Sequence, residues 1–391
     1  MKILIVAPRI PYPIEKGDKL RLFNQIRYLS RSHEVIVVGL TETKNSDISE
    51  LTRCCSAVYP IYLPKSRIVF NVIRGPGRQL PIQVAYFYSR RIKSQIHQII
   101  FQHNPDVIYT QLIRSSMYTR GLPFPKVIDF MDCFSLNTER RARQSSGISR
   151  WFWQWESHQV RKFEKHCFFD YDAQVIISEF DRAAMPLHAK HRMFVIPNGI
   201  DTGFYQPQTG FPGTVDILFA GNMGYYPNIK AAQYLVEEIK PLVARSLRWQ
   251  IAGARPDAKV SRLQRKGVEV TGWVEDLRQA YANAKLFVAP IWEGAGLQNK
   301  ILEAMAMGLP TITTPVVNNS INGEPGKHLL IAKNPAEFSK AILTLLDDRD
   351  YYREIAENGR NFVRNHYQWD LFNEQLENVL IHVSKPNQAG N

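Results

Sequence analysis

Short runs of β-branched and aliphatic residues alternate along the chain with longer stretches whose apolar positions recur every three to four residues. The pattern opens with KILIVAP, passes through a period-3.6 segment at residues 19–30 and returns to HEVIVVGL at 33–40, which predicts a β-α-β start. Further strands are predicted at 106–110, 126–129 and 173–178, each after a helical segment. A first half of this kind is a parallel sheet covered by helices. The alternation stops at 201–213 (DTGFYQPQTGFPG), where turn formers stand without an apolar period and predict an interdomain linker. It then resumes with VDILFAG, a helix at 228–244, WQIAGA, GVEVTGW, a short helix at 276–283, KLFVAP, a helix at 297–307 and PTITT. Helical patterns at 335–347, 349–366 and 370–383 close the chain. The fold class is α/β, with two successive βα domains, 1–202 and 214–365, joined by 203–213.

The length of 391 residues suits two domains better than one, since domains run to roughly 100–200 residues. A hydrophobic fraction of 45% excludes a disordered chain. Apolar runs such as 3–7 and 35–40 break within a few positions, far short of the about 20 residues of a bilayer span. The start MKILIVAPR enters a strand without the basic, apolar and small-residue regions of an export signal, so the expected location is the cytoplasm. Four cysteines, with Cys54 and Cys55 adjacent, have neither metal-ligand spacing nor a disulfide framework. The excess of 49 Lys+Arg over 36 Asp+Glu gives a formal charge of +13, which points to phosphate-bearing partners: nucleic acid, an anionic membrane or nucleotide-linked substrates.

Parallel sheets hold ligands at the carboxyl ends of their strands, so the strand-to-helix loops carry the chemistry. After the strand ending at Pro290, a turn with Gly294 and Gly296 lets the backbone approach a ligand, and a helix then opens with free N–H groups that favour an anion. Lys300 and Glu303 lie three apart on that helix, one placed to neutralise phosphate and the other to accept from ribose hydroxyls. A plain helix cap with an exposed Lys–Glu pair would use the same residues. In the first half, Gly17 precedes a helix bearing Lys16, Lys19 and Arg21 near its N-terminus, where cations oppose the helix dipole unless an anion binds. A solvated turn is the alternative.

On these segments the chain resembles the retaining glycosyltransferases of family 4, which have the GT-B fold: two facing Rossmann-like domains with a cleft between them. The resemblance is carried by MKILIVAPRIPYPIEKGDKLR, VIISEFD, VIPNGIDTGFYQP, FAGNMGYYPN, GWVEDLRQAYANAKLFVAP and GLQNKILEAMAMGLPTITT. The forms PYPIEKGDK and GLQNK are most similar to the branch found with bacterial exopolysaccharide assembly. The resemblance implies that the second domain binds a nucleotide diphosphate sugar, that the first holds a glycan or polyprenyl-linked acceptor, and that residues 366–391 cross back to the first domain. It places Glu303 at the second glutamate of the family's E-x7-E signature, while the first falls on Ala295 and the nearest acid, Glu293, is taken as a donor-binding candidate in its stead. Gly296, Leu297, Gln298 and Asn299 then cradle the diphosphate and sugar, and Gly221, Asn222, Gly253 and Val274 lie in the remaining donor-contacting loops. Asn222 and Asn228 stand where many relatives carry Arg and Lys, and Lys300 is the natural replacement. Gly17, Lys19 and Arg21 are candidates for the donor diphosphate. Asp132 is placed to orient an acceptor hydroxyl or, alternatively, to cap a helix. Turnover would proceed with the leaving diphosphate helping to deprotonate the acceptor, without a metal or other cofactor.

Asp170 and Asp172 have D-x-D spacing but introduce a strand, and His188 and His191 have no third ligand nearby. Between 140 and 166, Arg140, Arg141, Arg143, Arg150, Arg161, Lys162 and Lys165 interleave with Trp151, Phe152, Trp153 and Trp155, which suits an anionic membrane surface; core packing of the tryptophans is the competing account. IQVAYFYSRR at 82–91 is a second basic stretch, whose aromatics are expected to be exposed. Other functions compatible with the pattern are a nucleotide-sugar epimerase and a basic nucleic-acid-binding protein. No compact basic-aromatic module supports the latter, and nucleic acid is not an expected partner.

Overall fold

The computed structural model describes residues 1–75, 79–188, 190–208, 210, 213–293 and 297–385. It comprises two compact units, Met1–Pro197 with the chain from Phe372 onward, and Asn198–Leu371.

The first unit is built on seven strands: β1 (Lys2–Ala7), β2 (Glu34–Thr41), β3 (Ala57–Tyr62), β4 (Val107–Gln111), β5 (Lys126–Asp129), β6 (Ala173–Ile176) and β7 (Phe194–Val195). Their order is β3-β2-β1-β4-β5-β6-β7, and every pairing is parallel. Ile3, Leu4, Ile5 and Val6 are all fully buried, as expected of a parallel strand covered on both faces. On one face Leu4, Val6, Ile36 and Val38 pack with Ile96, Ile99 and Ile100 of the helix Arg90–His103. Further along the sheet Ile128, Phe130 and Ile176 pack with Val160 and Phe163 of the long helix Gly147–Phe169.

The second unit has six strands: β8 (Val215–Ala220), β9 (Trp249–Ala252), β10 (Val268–Gly272), β11 (Ala284–Ala289), β12 (Thr311–Thr313) and β13 (Leu330–Ile331). They run parallel in the order β10-β9-β8-β11-β12-β13. Strand order reverses beside β1 in one sheet and β8 in the other, so the ends of β1 and β4, and of β8 and β11, are the places where a doubly wound sheet opens to a ligand.

Several elements differ from the sequence expectation. The helix expected at 228–244 is Tyr226–Tyr234, continued by a π turn at Leu235–Ile239 and a 3₁₀ turn at Lys240–Leu242, where Pro241 removes an N–H donor. The helix expected at 297–307 is Asn299–Ala306. The segment read as a linker belongs in its first half to the second unit. Asp201 accepts from the N–H groups of Gly203 and Phe204, the Arg278 guanidinium lies 3.8 Å over the Phe204 ring, and Tyr205 meets Tyr281 edge-on at 6.4 Å. Residues 209, 211 and 212 lie outside the described residues. Just before it, Ile200 donates to the Tyr367 carbonyl at 2.6 Å, and a Cβ on Gly199 would overlap the Trp369 backbone. Only glycine permits that approach.

The last helix, Trp369–Ser384, begins in the second unit and belongs to the first from Phe372 on. There Glu377 pairs with His33 at 2.7 Å, and Asn373 donates to the Asn24 carbonyl at 3.2 Å. All four cysteines are free. No helix of the described residues is long and apolar enough to cross a membrane.

Candidate active site

In the second unit the loops after β8 and β9 meet backbone to backbone. Gly253 has φ +139, and a Cβ there would overlap the Gly221 carbonyl oxygen. Gly221 donates to the Ala252 carbonyl at 3.0 Å and Gly253 to the Gly272 carbonyl at 2.8 Å. The contact made in this way is backbone on backbone, which only glycine at 253 permits. A Cβ on Gly221 itself would stand 2.9 Å from Asn228 Nδ2 and 3.1 Å from Lys300 Cε, so those two side chains bound the same space.

Lys300 enters from the helix Asn299–Ala306. Its Nζ donates to Asn228 Oδ1 at 3.0 Å and to Gln298 Oε1 at 2.9 Å. Asn228 is oriented in turn by donating to the Asn222 carbonyl at 2.9 Å. Both oxygens holding the ammonium are neutral amides, and the acid that acts on its charge, Glu303, makes no ion pair with it among the described residues. Burial pushes the Lys300 ammonium down to about 8, with Glu303 acting in the opposite direction. Gln298 does not cap its helix but is turned to Lys300, which leaves the first-turn N–H groups without a side-chain acceptor there.

Glu303 lies one turn along. Burial raises its carboxyl above the usual range, while the Tyr281 hydroxyl and the charge of Lys300 hold it down. Tyr281, fully buried, donates to Glu303 Oε2 at 3.0 Å. Behind the strand end, Thr313 donates to the Ala289 carbonyl at 2.9 Å and Thr314 to the Ile291 carbonyl at 2.6 Å, anchoring the end of β11 and the two residues after it. Tyr281 and these two threonines were not singled out from the sequence. Their signal is position, at the strand end and one helix away from Glu303.

The other donor candidates fall around this core. Asn222 turns the loop after β8, its Oδ1 accepting from Gly224 N–H at 3.0 Å. Val274 is half-buried and follows Gly272, which has φ +70. Leu297, Gln298 and Asn299 are half-buried at the helix entrance, and Glu293 is exposed. Gly296 lies outside the described residues.

The first unit treats its cations differently. Gly17 opens the helix Gly17–Leu29, and a Cβ on it would meet nothing. Lys19 donates to the Pro13 carbonyl at 3.2 Å and stands 3.9 Å from Glu15. Arg21 is corrected outright as a donor ligand. It is fully buried, with Nε 2.6 Å from Asp129 Oδ2 and Nη1 donating to the Pro197 carbonyl at 3.2 Å. Tyr109 donates to the same Asp129 oxygen at 2.8 Å. Arg21 sits on the inward face of its helix, four before the buried Gln25, so its charge is taken up by the sheet rather than by a ligand.

Asp132 is half-buried beyond β5, after Met131, whose φ is +57. The following helix Phe134–Gln144 has Cys133 at its N-cap, so Asp132 is not the cap. Burial, then the charges of Asp181 and Asp129, push its carboxyl up to about 6 against the pull of Arg21 and Arg114. Arg114, three residues past β4, donates to Gln83 Oε1 at 3.0 Å and lies 4.8 Å over Phe134. Arg9, two past β1, pairs with Asp18 at 2.9 Å. Neither arginine was singled out from the sequence, although each directly follows a strand end. Arg9, Tyr12, Lys16, Lys19, Glu42 and Asp47 are among the residues lining a cavity of about 370 Å³ in this unit.

Asp172 accepts from Lys126 N–H at 2.7 Å and Asp170 pairs with Arg120 at 2.7 Å, so both serve the strand entry. Among the described residues no three His, Cys, Asp or Glu side chains converge as metal ligands would. At 82–91 the expectation of exposed aromatics is corrected: Phe87 is buried with Val84 and Ala85, and Tyr86 and Tyr88 are half-buried, because the helix Ile82–Phe87 faces the core.

Residues 20–204 match the family described as Glycosyltransferase Family 4, and residues 214–348 that described as Glycosyl transferases group 1. The chain is similar to an uncharacterised 44.6 kDa protein in the cps region of Klebsiella pneumoniae, 21% identical over 94% of this chain and 96% of that one. Among solved structures it is similar to sucrose-phosphate synthase from Thermosynechococcus elongatus, with TM-score 0.69 and 15% identity over 98% of this chain and 99% of the other. It is also similar to Anabaena HepE in complex with UDP, with TM-score 0.67 and 15% identity over 98% and 100%. The same Anabaena protein has been solved with UDP-glucose. With one family match in each unit and this fold throughout, the chain belongs to the group 1 and family 4 glycosyltransferases and has the GT-B fold.

Proposed function

We propose that the protein transfers a sugar from a nucleotide diphosphate sugar to a hydroxyl of a glycan or polyprenyl-linked acceptor, with retention of anomeric configuration, in the assembly of a bacterial polysaccharide at the cytoplasmic side of the membrane. The observation that carries the donor half is Lys300, a cation whose hydrogen-bond acceptors among the described residues are the neutral amides of Asn228 and Gln298, set beside the close backbone contact of Gly221 and Gly253. A diphosphate seated there takes the ammonium and the helix N–H groups, and Glu303 accepts from the ribose. As the anomeric C–O bond to phosphate breaks, negative charge grows on the diphosphate, and a preformed cation is worth most at that stage. HepE is a relative in fold whose structures hold UDP and UDP-glucose at the same overall architecture, which supports a nucleotide-sugar donor. The Klebsiella relative's cps region supports a polysaccharide role.

For the acceptor half, Asp132 carries a half-buried carboxyl raised to about 6, not used as a helix cap, which suits it to orient a hydroxyl. Glu293 stands two residues before the usual first glutamate and is assigned no contact to the transferred sugar. A thermal-shift screen of nucleotide diphosphate sugars tests the reading: one or a few donors are expected to raise the melting temperature of the wild type and not of Lys300→Ala. Equal stabilisation of both proteins would remove the assignment.

A further inference from the structure

We propose that the outer face of the helix Gly147–Phe169, together with the helix Lys65–Arg74, docks the first unit onto an anionic phospholipid bilayer. The long helix has two acids, Glu156 and Glu164, and both are buried. Glu156 accepts from the N–H groups of Ile82 and Gln83 at 3.0 and 3.3 Å, and Glu164 from Ser135 N–H at 3.1 Å. Arg150, Arg161, Lys162 and Lys165 are all exposed on the same helix. Its solvent face is therefore purely cationic. Among the described residues Arg150, Lys162 and Lys165 make no salt bridge, and Arg161 shares Glu139 with Arg143. Arg143, Arg150, His158 and Arg161 line a cleft of about 400 Å³ in which, among the described residues, Glu139 is the one acid.

Large apolar side chains project from this charged surface. Ile148 is 88% exposed, Trp151 71% and Phe169 70%. Trp153 is not among them, since Arg141 covers its ring at 4.0 Å, and Phe152 packs on Trp153 and Trp155. The helix Lys65–Arg74 repeats the arrangement: it has no acidic residue, and Val69, Phe70 and Ile73 are exposed, Ile73 by 74%. Between the two lies the helix Ile82–Phe87. It packs on Lys65–Arg74, where Gly75 has room for no Cβ against Ala85, and its first N–H groups are held by Glu156.

Cations without acidic partners fit phosphate headgroups, and exposed aliphatic and indole side chains fit the acyl boundary beneath them. Nucleic acid would use the cations but leave Ile148, Val69 and Ile73 in water. The purpose of such docking, bringing the enzyme to a lipid-linked acceptor, rests on the reading above; the binding itself does not.

The test is co-sedimentation of the full chain with phosphatidylcholine vesicles with and without about 30% phosphatidylglycerol, at low and high salt. Binding is expected to need the anionic lipid, to fall at least about tenfold in Arg150→Glu/Lys162→Glu/Lys165→Glu, and to fall about threefold or more in Ile148→Ser/Trp151→Ser. Thermal-shift response to nucleotide sugars is expected to be unchanged in both variants, which separates a failure of docking from a failure of the donor assignment. Equal binding to neutral vesicles, no binding to anionic ones, charge-reversed protein that still binds, or retention of short nucleic acid with no vesicle binding would each overturn the proposal.

Discussion

Both units place a glycine, a helix start and basic residues after a strand, yet they dispose of the positive charge in opposite ways. In the second, Lys300 is held by the carbonyl oxygens of Asn228 and Gln298. In the first, Arg21 is neutralised by Asp129, Arg9 by Asp18, and Lys19 leans on Glu15 and the Pro13 carbonyl. On the proposed function, a cation near a helix N-terminus serves an anion where the atoms that hold it are neutral amides, as at Lys300. Where a carboxylate already answers it, the same pattern is architecture.

The sharpest way to break this contrast is to remove each cation. Lys300→Ala is expected to lower kcat/KM by at least about a hundredfold, the scale seen when one preformed transition-state contact is lost, and to leave the fold intact by circular dichroism and melting temperature. Arg21→Ala is expected to do the reverse. It leaves Asp129 buried and unpaired, a loss of about 3–5 kcal/mol that chemical denaturation would read, and Arg21→Met/Asp129→Asn is expected to recover much of it. Tyr281→Phe takes one hydrogen bond from the Glu303 carboxylate and lets burial raise its pKa further, so donor affinity is expected to fall about tenfold in calorimetric titration. The pH profile carries a signed prediction. Lys300 is charged below its lowered pKa of about 8, so donor capture in the free enzyme is expected to hold at neutral pH and decline above about 8; Lys300→Arg, which does not titrate there, moves that limb out of range. On the acid side, Asp132 loses its charge as pH falls through about 6, and Asp132→Asn is expected to flatten that limb. Lys19→Ala has the smallest expected effect, within about 0.5 kcal/mol of stability and about twofold in turnover, because its partner Glu15 is solvent-exposed.

Strand positions were legible because fully buried parallel strands demand continuous β-branched runs: β5 falls on the predicted 126–129, and β1 and β4 within a residue or so. Helix ends were less so. The π and 3₁₀ turns that end the helix beginning at Tyr226 depend on tertiary packing rather than periodicity. The Lys300–Glu303 pair could be found because strand, glycines and helix start are local in sequence. Arg21 could not be placed, since its partner Asp129 is 108 residues away. Tyr205 was hidden inside a stretch whose composition is that of a spacer, although it packs on Tyr281 beside Glu303. The aromatics of 82–91 look amphipathic in sequence, and only the depth of the helix Ile82–Phe87 shows that Phe87 faces inward.

The central claim is the proposal that Lys300 is an anion-binding cation of the second unit. Calorimetric titration of wild type, Lys300→Ala and Lys19→Ala with the nucleoside diphosphate that stabilises the protein most tests it directly. The account predicts at least a tenfold weaker Kd for Lys300→Ala, about 1.4 kcal/mol, and an unchanged Kd for Lys19→Ala. Wild-type affinity in Lys300→Ala, or a loss confined to Lys19→Ala, would contradict it.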